Sequence, residues 1–356
     1  MAKSLPDLYN RASLENCLPY RTFDPETQIF VNRASMGFVI ETLPLVGCGD
    51  EIPRQLTGLF QHTLPLGSNL QCLLLASHRI GPWLKRWEEA RLGRGQVLEE
   101  LAKERAAYLG QSLGIRTFHL LLSYSEPIVI FRSFESLISL REQIITTLKG
   151  WGLPVKIWQP EDLLSGLDEL LNPSDSLDGL TISWNHHDLL SHQFMSPSTR
   201  WKIEPSQMVM GENEVILRMY TTRLFPPVWH LSAMGVLIGD PFDEFLRLKG
   251  SFFLSYSIHI CNEKTLKTRM LAKCGNVEKQ AASPIANYIP SVRQEAKEWT
   301  FVREKFEEGQ RLVRTRFQVG LLSSPDLIER EQQTLLNLYR SQRWELALDR
   351  YLQLPS

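Results

Sequence analysis

Residues 18–46 read LPYRTFDPETQIFVNRASMGFVIETLPLV, and the reading of this stretch decides the fold. A turn-rich lead-in runs to Glu26. Residues 28–32 make a short strand, Arg33-Ala34-Ser35 the turn, and residues 36–43 the return strand. Phe38, Val39 and Ile40 are a dense β-forming run, because branched and aromatic side chains pack well on a pleated surface. Pro44 has no amide to donate to a ladder and ends the strand. The same shape returns at 207–210, Gly211-Glu212-Asn213 and 214–222, with Pro226-Pro227 as the stop. The chain therefore reads as two copies of one unit, each opened by a β-hairpin. A period of roughly 180 residues is too long for a solenoid and suits duplicated domains.

Downstream of the first hairpin, Asp50 is placed to cap a helix through His62, with Leu56, Leu59 and Phe60 on its apolar face. Residues 70–77 (LQCLLLAS) are a buried strand. Two helical segments follow, 82–92 and 96–109, split by Gly93-Arg94-Gly95. Trp83, Trp87 and Ala90 line one face of the first; Leu98, Leu101, Ala102 and Leu109 line one face of the second. A strand at 115–123, a helix from a Ser133 cap to Gly150, and a strand at 153–158 complete the unit. Leaving out the helix pair gives β-α-β-β-α-β, the ferredoxin-like order.

Residues 172–199 carry turn chemistry (NPSDSLDG, then SPST) and read as a connector. The second unit repeats the order. Asp240-Pro241 starts a short helix, 251–261 (SFFLSYSIHIC) is the buried strand, and a helix pair spans 263–279 and 291–313 around Pro284 and Pro290. A strand at 317–322, a helix from Ser324-Pro325-Asp326 to Ser341, and a strand at 346–352 close it. The expected fold is α+β: two ferredoxin-like units, 1–171 and 200–356, each with an inserted helical hairpin (82–109 and 263–313) and joined by the connector.

Composition sets the class. A hydrophobic fraction of 43%, a charged fraction of 22% and a net charge of −1 over 356 residues are those of a globular protein, with no bulk electrostatic attraction to nucleic acid. The five cysteines form no CxxC pair, as expected for reduced thiols. The first seventeen residues have no apolar core of a signal peptide, and the apolar stretch 224–238 is too short and too broken by Pro226, Pro227 and His230 to span a bilayer.

The usual chemical motifs fail one by one. A phosphate loop needs Gly-Lys, so that backbone amides cradle the phosphate and lysine reaches it; the dipeptide does not occur. Gly166-Leu167-Asp168-Glu169 lies in an amphipathic pattern with Leu163, Leu164, Leu170 and Leu171, which makes its acids a solvated helix face. His186, His187 and His192 have no cysteine or glutamate at ligand spacing and read as a polar linker. No G-x-S-x-G elbow is present. Phe252-Phe253-Leu254-Ser255-Tyr256 lacks the basic-glycine lead of an RNA-binding strand, so its phenylalanines are core. His119 and His259, inside strands, are satisfied core or sheet-edge histidines. No catalytic, cofactor or metal residue is assigned. The helix pairs remain, and their large aromatics at helical spacing, Trp83, Trp87, Trp299 and Phe306, are the candidate partner-docking residues.

Leu18-Pro19-Tyr20-Arg21, Asp24, Glu26-Thr27-Gln28, Phe30, Asn32, Gly37-Phe38 and the run from Glu41 to Pro44 resemble the opening signature of TraC, the F-type branch of the VirB/TraC conjugation and type IV secretion ATPases. Leu73-Leu74-Leu75-Ala76-Ser77, Arg86-Trp87 and the arginine-rich approach to Phe317 agree in order. The resemblance implies a protein of the bacterial cytoplasm, peripheral at the inner membrane, that energises pilus assembly and DNA transfer. It implies ATP and Mg for a C-terminal motor, and for this chain a non-enzymatic role: docking that motor on inner-membrane components and on its own oligomer. The alternative is a stand-alone binding module for nucleic acid or for another secretion component.

Overall fold

A computed structural model describes residues 18–350 except 46, 48, 50, 112–114, 131–132, 174–176, 180–181, 195–199, 212, 229–233, 241–242 and 244. The Asp50 cap, Pro241 and the last residues of the expected closing strand lie outside these. The chain is 42% helix and 27% strand, so the mixed class expected from the sequence holds.

In the first half, β1 (Tyr20–Asp24), β2 (Ile29–Asn32) and β3 (Ser35–Thr42) form a meander. Helix α1 (Glu51–Gly58) runs into a π-turn at Leu59–Thr63 and is followed by β4 (Asn69–Ser77). The arm α2 (Gly81–Glu89) and α3 (Gln96–Gln111) precedes β5 (Thr117–Pro127), α4 (Phe134–Gly150), β6 (Val155–Ile157), α5 (Pro160–Leu171) and the single turn α6 (Leu190–Gln193). The second half has β7 (Trp201–Ile203), β8 (Met208–Met210), β9 (Val215–Leu224), α7 (Met234–Leu237) and β10 (Ser251–Ile260). Its arm α8 (Glu263–Ala281) and α9 (Pro290–Glu307) leads to β11 (Val313–Ser323), α10 (Ile328–Ser341) and β12 (Glu345–Leu348).

The twelve strands of the described residues belong to one sheet, in the order β1-β2-β3-β5-β4-β10-β11-β9-β8-β7, with β6 beside β3 and β12 beside β9. Met36 and Gly37 of β3 pair with β2, while Ile40, Glu41 and Thr42 pair with β6. β9 divides its outer edge between β8 and β12 in the same way. β6-β3-β5-β4 therefore corresponds strand for strand to β12-β9-β11-β10, with antiparallel neighbours throughout. The halves meet where β4 pairs with β10, Ala76 opposite Phe252 and Asn69 opposite His259. Each of these apolar strands would otherwise be a bare edge with unpaired amides, and their pairing removes both. Because they run antiparallel, the two arms leave from opposite ends of the sheet.

One face of the sheet carries the larger core. Phe38, Ile40 and Tyr124 pack under Leu140, Ile144 and Leu148 of α4. On the same face Tyr220, Phe252 and Val319 pack under Leu335, Leu338 and Tyr339 of α10. The other face of the first half is closed by Leu163 and Leu164 of α5 with Phe23, Phe30 and Leu121. Two mid-strand glycines have a cause. A Cβ on Gly37 would meet the Tyr124 carbonyl oxygen at 2.0 Å, and one on Gly320 would meet the Phe253 ring at 2.2 Å.

Several local expectations are corrected. The lead-in is β1, and β7 is its counterpart; at five and three residues each is too short to establish a period. The helix expected at 291–313 ends at Glu307. Gly309 turns the chain with φ +88, and Val313 already pairs with Ile260, so Arg311 and Arg314 lie off the helix. α10 starts at Ile328, after a turn in which Ser324 accepts from the amides of Leu327 and Ile328. No helix is found among the described residues of 239–250; the Asp240 amide instead donates to Leu246. Asp168 is not on a solvated face: it is 2% exposed. Ser133 does cap α4, accepting from the Ser136 amide.

Candidate partner-docking surface

The first arm closes through Gly93 and Gly95, both at positive φ, and the Gly93 amide donates to the Glu99 carboxylate at 2.8 Å. Ala102 and Ala106 are buried, and their small side chains let α2 approach closely. Leu98 and Leu101, expected to share the inner face with Ala102, instead point outward, 52% and 54% exposed. With Arg105 and Tyr108 (64% exposed) they form a row at spacings of three, four and three residues, the seam of a coiled coil without its partner. An open groove of about 580 Å³ runs along this row, walled on the α2 side by Trp87 and Arg91. The Arg91 guanidinium lies 3.8 Å over the Trp87 ring and donates to the Trp87 carbonyl at 2.7 Å. Arg105 stands over Tyr108, and Arg86 over Trp83, which is 57% exposed.

The second arm is zipped. Lys273 pairs with Glu295 at 2.9 Å and Arg303 with Glu278 at 3.0 Å, tying α8 to α9. Met270, Cys274 and Val277 are buried, and the Cys274 thiol donates to the Trp299 carbonyl. Trp299 and Phe306 are half-buried, as is Trp87. Of the four aromatics expected to dock partners, Trp83 and Trp87 lie on α2, and only Trp83 is largely exposed. Trp299 and Phe306 lie on α9. The exposed seam of Leu98, Leu101 and Tyr108 was missed; its one signal in the sequence was the heptad spacing.

The base of the first arm is fixed from the connector side. The Gly81 amide donates to the Leu177 carbonyl, and a Cβ on Gly110 would press on Leu177. Arg79, at the end of β4, pairs with Asp168 of α5 at 3.0 Å, their side chains 7% and 2% exposed. Asp168 also accepts from Asn172, whose amide reaches the Phe194 carbonyl beside α6.

A second polar cluster lies on the same sheet face. Glu41 accepts from the Trp158 indole at 2.9 Å and meets His119 Nδ1 at 2.6 Å. Burial alone would push the Glu41 carboxyl up, but the bonds from His119 and Trp158 outweigh it and hold it below its ordinary value. The bond to Glu41 raises His119 against the opposing effect of burial. The His119 contribution to stability is complete below its unfolded value of 6.5 and is lost as pH rises through its raised folded value. The Glu41 contribution is present above 4.5 and is lost as pH falls through its lowered folded value. His119→Gln should therefore destabilise most between those two values. In urea unfolding, the gap between wild type and variant should shrink toward pH 8; a gap that widens there would contradict the pairing.

His186, His187 and Asp188 form a turn: Asn185 donates to Asp188 and accepts from the His187 amide. Among the described residues no group of three His, Cys, Asp or Glu side chains is arranged to hold a metal, and no helix is long and apolar enough to cross a membrane. His259 lies on β10, an interior strand, paired with Asn69 of β4 on one side and Arg314 of β11 on the other, and its ring bonds to the Asn69 side chain; it is not at a sheet edge.

Residues 14–356 match the family model described as TraC protein. The chain is 23% identical to Protein TraC of Escherichia coli (strain K12) over 364 residues, an alignment that covers 94% of this chain and 41% of that protein. With the family model covering nearly the whole chain, the protein belongs to the TraC family of conjugative transfer, or type IV secretion, proteins.

Proposed function

We propose that this chain is the assembly and docking region of a conjugative transfer machine, working on the cytoplasmic side of the inner membrane without hydrolysing ATP itself. The absence of a Gly-Lys dipeptide supports the non-enzymatic role. ATP and Mg would belong to a motor elsewhere in the protein. Each half is a ferredoxin-like unit. The matching orders β6-β3-β5-β4 and β12-β9-β11-β10 support this, as does a helix at each expected crossover: α1 and α4 in one half, α7 and α10 in the other. The units occupy 1–171 and 200–356 around the connector 172–199. The arms are additions that such a unit does not need in order to close its core.

The observation that carries the reading is the exposed seam on α3. A row of Leu98, Leu101 and Tyr108 left open on a projecting arm is apolar area that a partner would bury. The experiment deletes residues 82–109, or separately 284–313, with a short Gly-Ser closure, in the protein that carries this chain. Loss of association with the inner-membrane conjugation components and of DNA transfer is expected for the first deletion. A trimmed protein with an unchanged circular-dichroism melt and native transfer would overturn it.

A further inference from the structure

We infer that the groove on the first arm receives an acidic amphipathic helix of a partner protein. The inference rests on the docking reading above and names the chemistry of what docks. Three observations point to it.

The first is shape. Leu98, Leu101, Arg105 and Tyr108 repeat at heptad spacing beside the Trp87 ring, and a heptad seam is complemented by another helix. From Leu98 to Tyr108 the seam is about 15 Å long at the helical rise, so it accepts about three turns of a partner. A third helix laid there completes a bundle that α2 and α3 leave open.

The second is charge. Arg91, Arg94 and Arg105 line the groove against one carboxylate, Glu104, in a chain whose net charge is −1. None of these arginines has a carboxylate in ion-pair range among the described residues. Two of them instead lie over aromatic rings, Arg91 on Trp87 and Arg105 on Tyr108, which holds their guanidinium planes at the rim. Guanidinium forks held in this way favour carboxylates on the flanks of an incoming helix.

The third is contrast with the duplicate arm. On α8 and α9 two cations pair across the hairpin, in Lys273–Glu295 and Arg303–Glu278. No such inter-helix ion pair joins α2 to α3 among the described residues, although both arms leave apolar side chains exposed, Leu98 and Leu101 on the first and Leu271 and Phe301 on the second. In the first arm the exposed apolar row and the arginines without carboxylate partners line one groove. A basic helix would be repelled by this rim, and a nucleic-acid strand would find guanidiniums without the heptad seam having any use.

The test uses the 356-residue chain and three fluorescent peptides of about three helical turns. One carries leucine at heptad positions with glutamate flanks, one has lysine flanks, and one is a scrambled acidic peptide. The glutamate-flanked peptide should bind at least about tenfold more tightly than the lysine-flanked one, with affinity falling as salt rises. Arg91→Glu with Arg105→Glu should reverse that preference, and Leu101→Glu should abolish binding of either peptide. Leu101 is exposed, so an unchanged melt of that variant is expected and serves as the folding control. Equal affinity for both charge types, equal binding of the scrambled peptide, or a preference unmoved by charge reversal overturns the inference. So does sedimentation equilibrium in which the chain self-associates and Leu101→Glu makes it monomeric, because the occupant is then a second copy. Failure with the peptides while deletion of 82–109 still abolishes docking would leave the docking reading standing. Selective peptide binding by a chain whose deletion variant docks normally would do the reverse.

Discussion

Asp168→Asn should cost about 3–5 kcal/mol of folding stability, the range for removing one partner of a buried ion pair. The substitution keeps the shape of the side chain and removes its charge. Arg79 then stays 7% exposed with no counter-charge, because Asp168 is its ion-pair partner. The pair is also incompletely satisfied: among the described residues, Nε and one terminal nitrogen of Arg79 have no hydrogen-bond partner. An incompletely satisfied buried pair contributes little net stability, so Arg79→Met combined with Asp168→Leu should recover most of the loss. The two variants are compared by urea unfolding monitored by circular dichroism. A loss below about 1 kcal/mol for Asp168→Asn would place the pair among solvent-screened surface pairs and contradict its burial. Because the pair joins the end of β4 to α5 beside the root of the first arm, amide exchange at Gly81 should also accelerate in the variant.

Phe252→Ala should cost a similar amount, about 3–5 kcal/mol, from lost burial and the cavity left behind. Phe252 is 2% exposed on β10, opposite Ala76 of β4, with its ring edge-on to Phe118 at 6.3 Å. It therefore packs on residues from both halves. Two duplicated domains on a flexible tether would unfold in two steps, and only the second would respond to this change. A sheet continuous through β4 and β10 predicts one transition that shifts as a whole. The check is a thermal melt followed by far-ultraviolet dichroism and by fluorine NMR of 5-fluorotryptophan-labelled protein, which resolves single tryptophans, with Trp158 reporting on the first half and Trp344 on the second. Transitions that separate, with the first half unmoved, would show that the β4–β10 pairing does not couple the halves.

What the sequence determined by itself is local. The two hairpins, the buried strands at 70–77 and 251–261, the Ser133 cap and both helix pairs are set by short-range periodicity, turn chemistry and capping. These act between residues a few positions apart and leave a mark in the order of side chains. β1 and β7 left none, because three to five mixed residues carry no period.

Tertiary structure decided the rest. β4 and β10 each read as an ordinary buried strand. That they pair with each other, joining residues such as Ala76 and Phe252, follows from two apolar edges meeting, which no local window contains. The helical period placed Asp168 on a wet face. It is dry because Arg79, 89 residues earlier, arrives over it. On α3 the periodicity offered two apolar rows and could not rank them. Ala102 and Ala106 took the inside because small side chains let α2 come close, and that choice turned Leu98, Leu101 and Tyr108 toward solvent, where a partner can reach them.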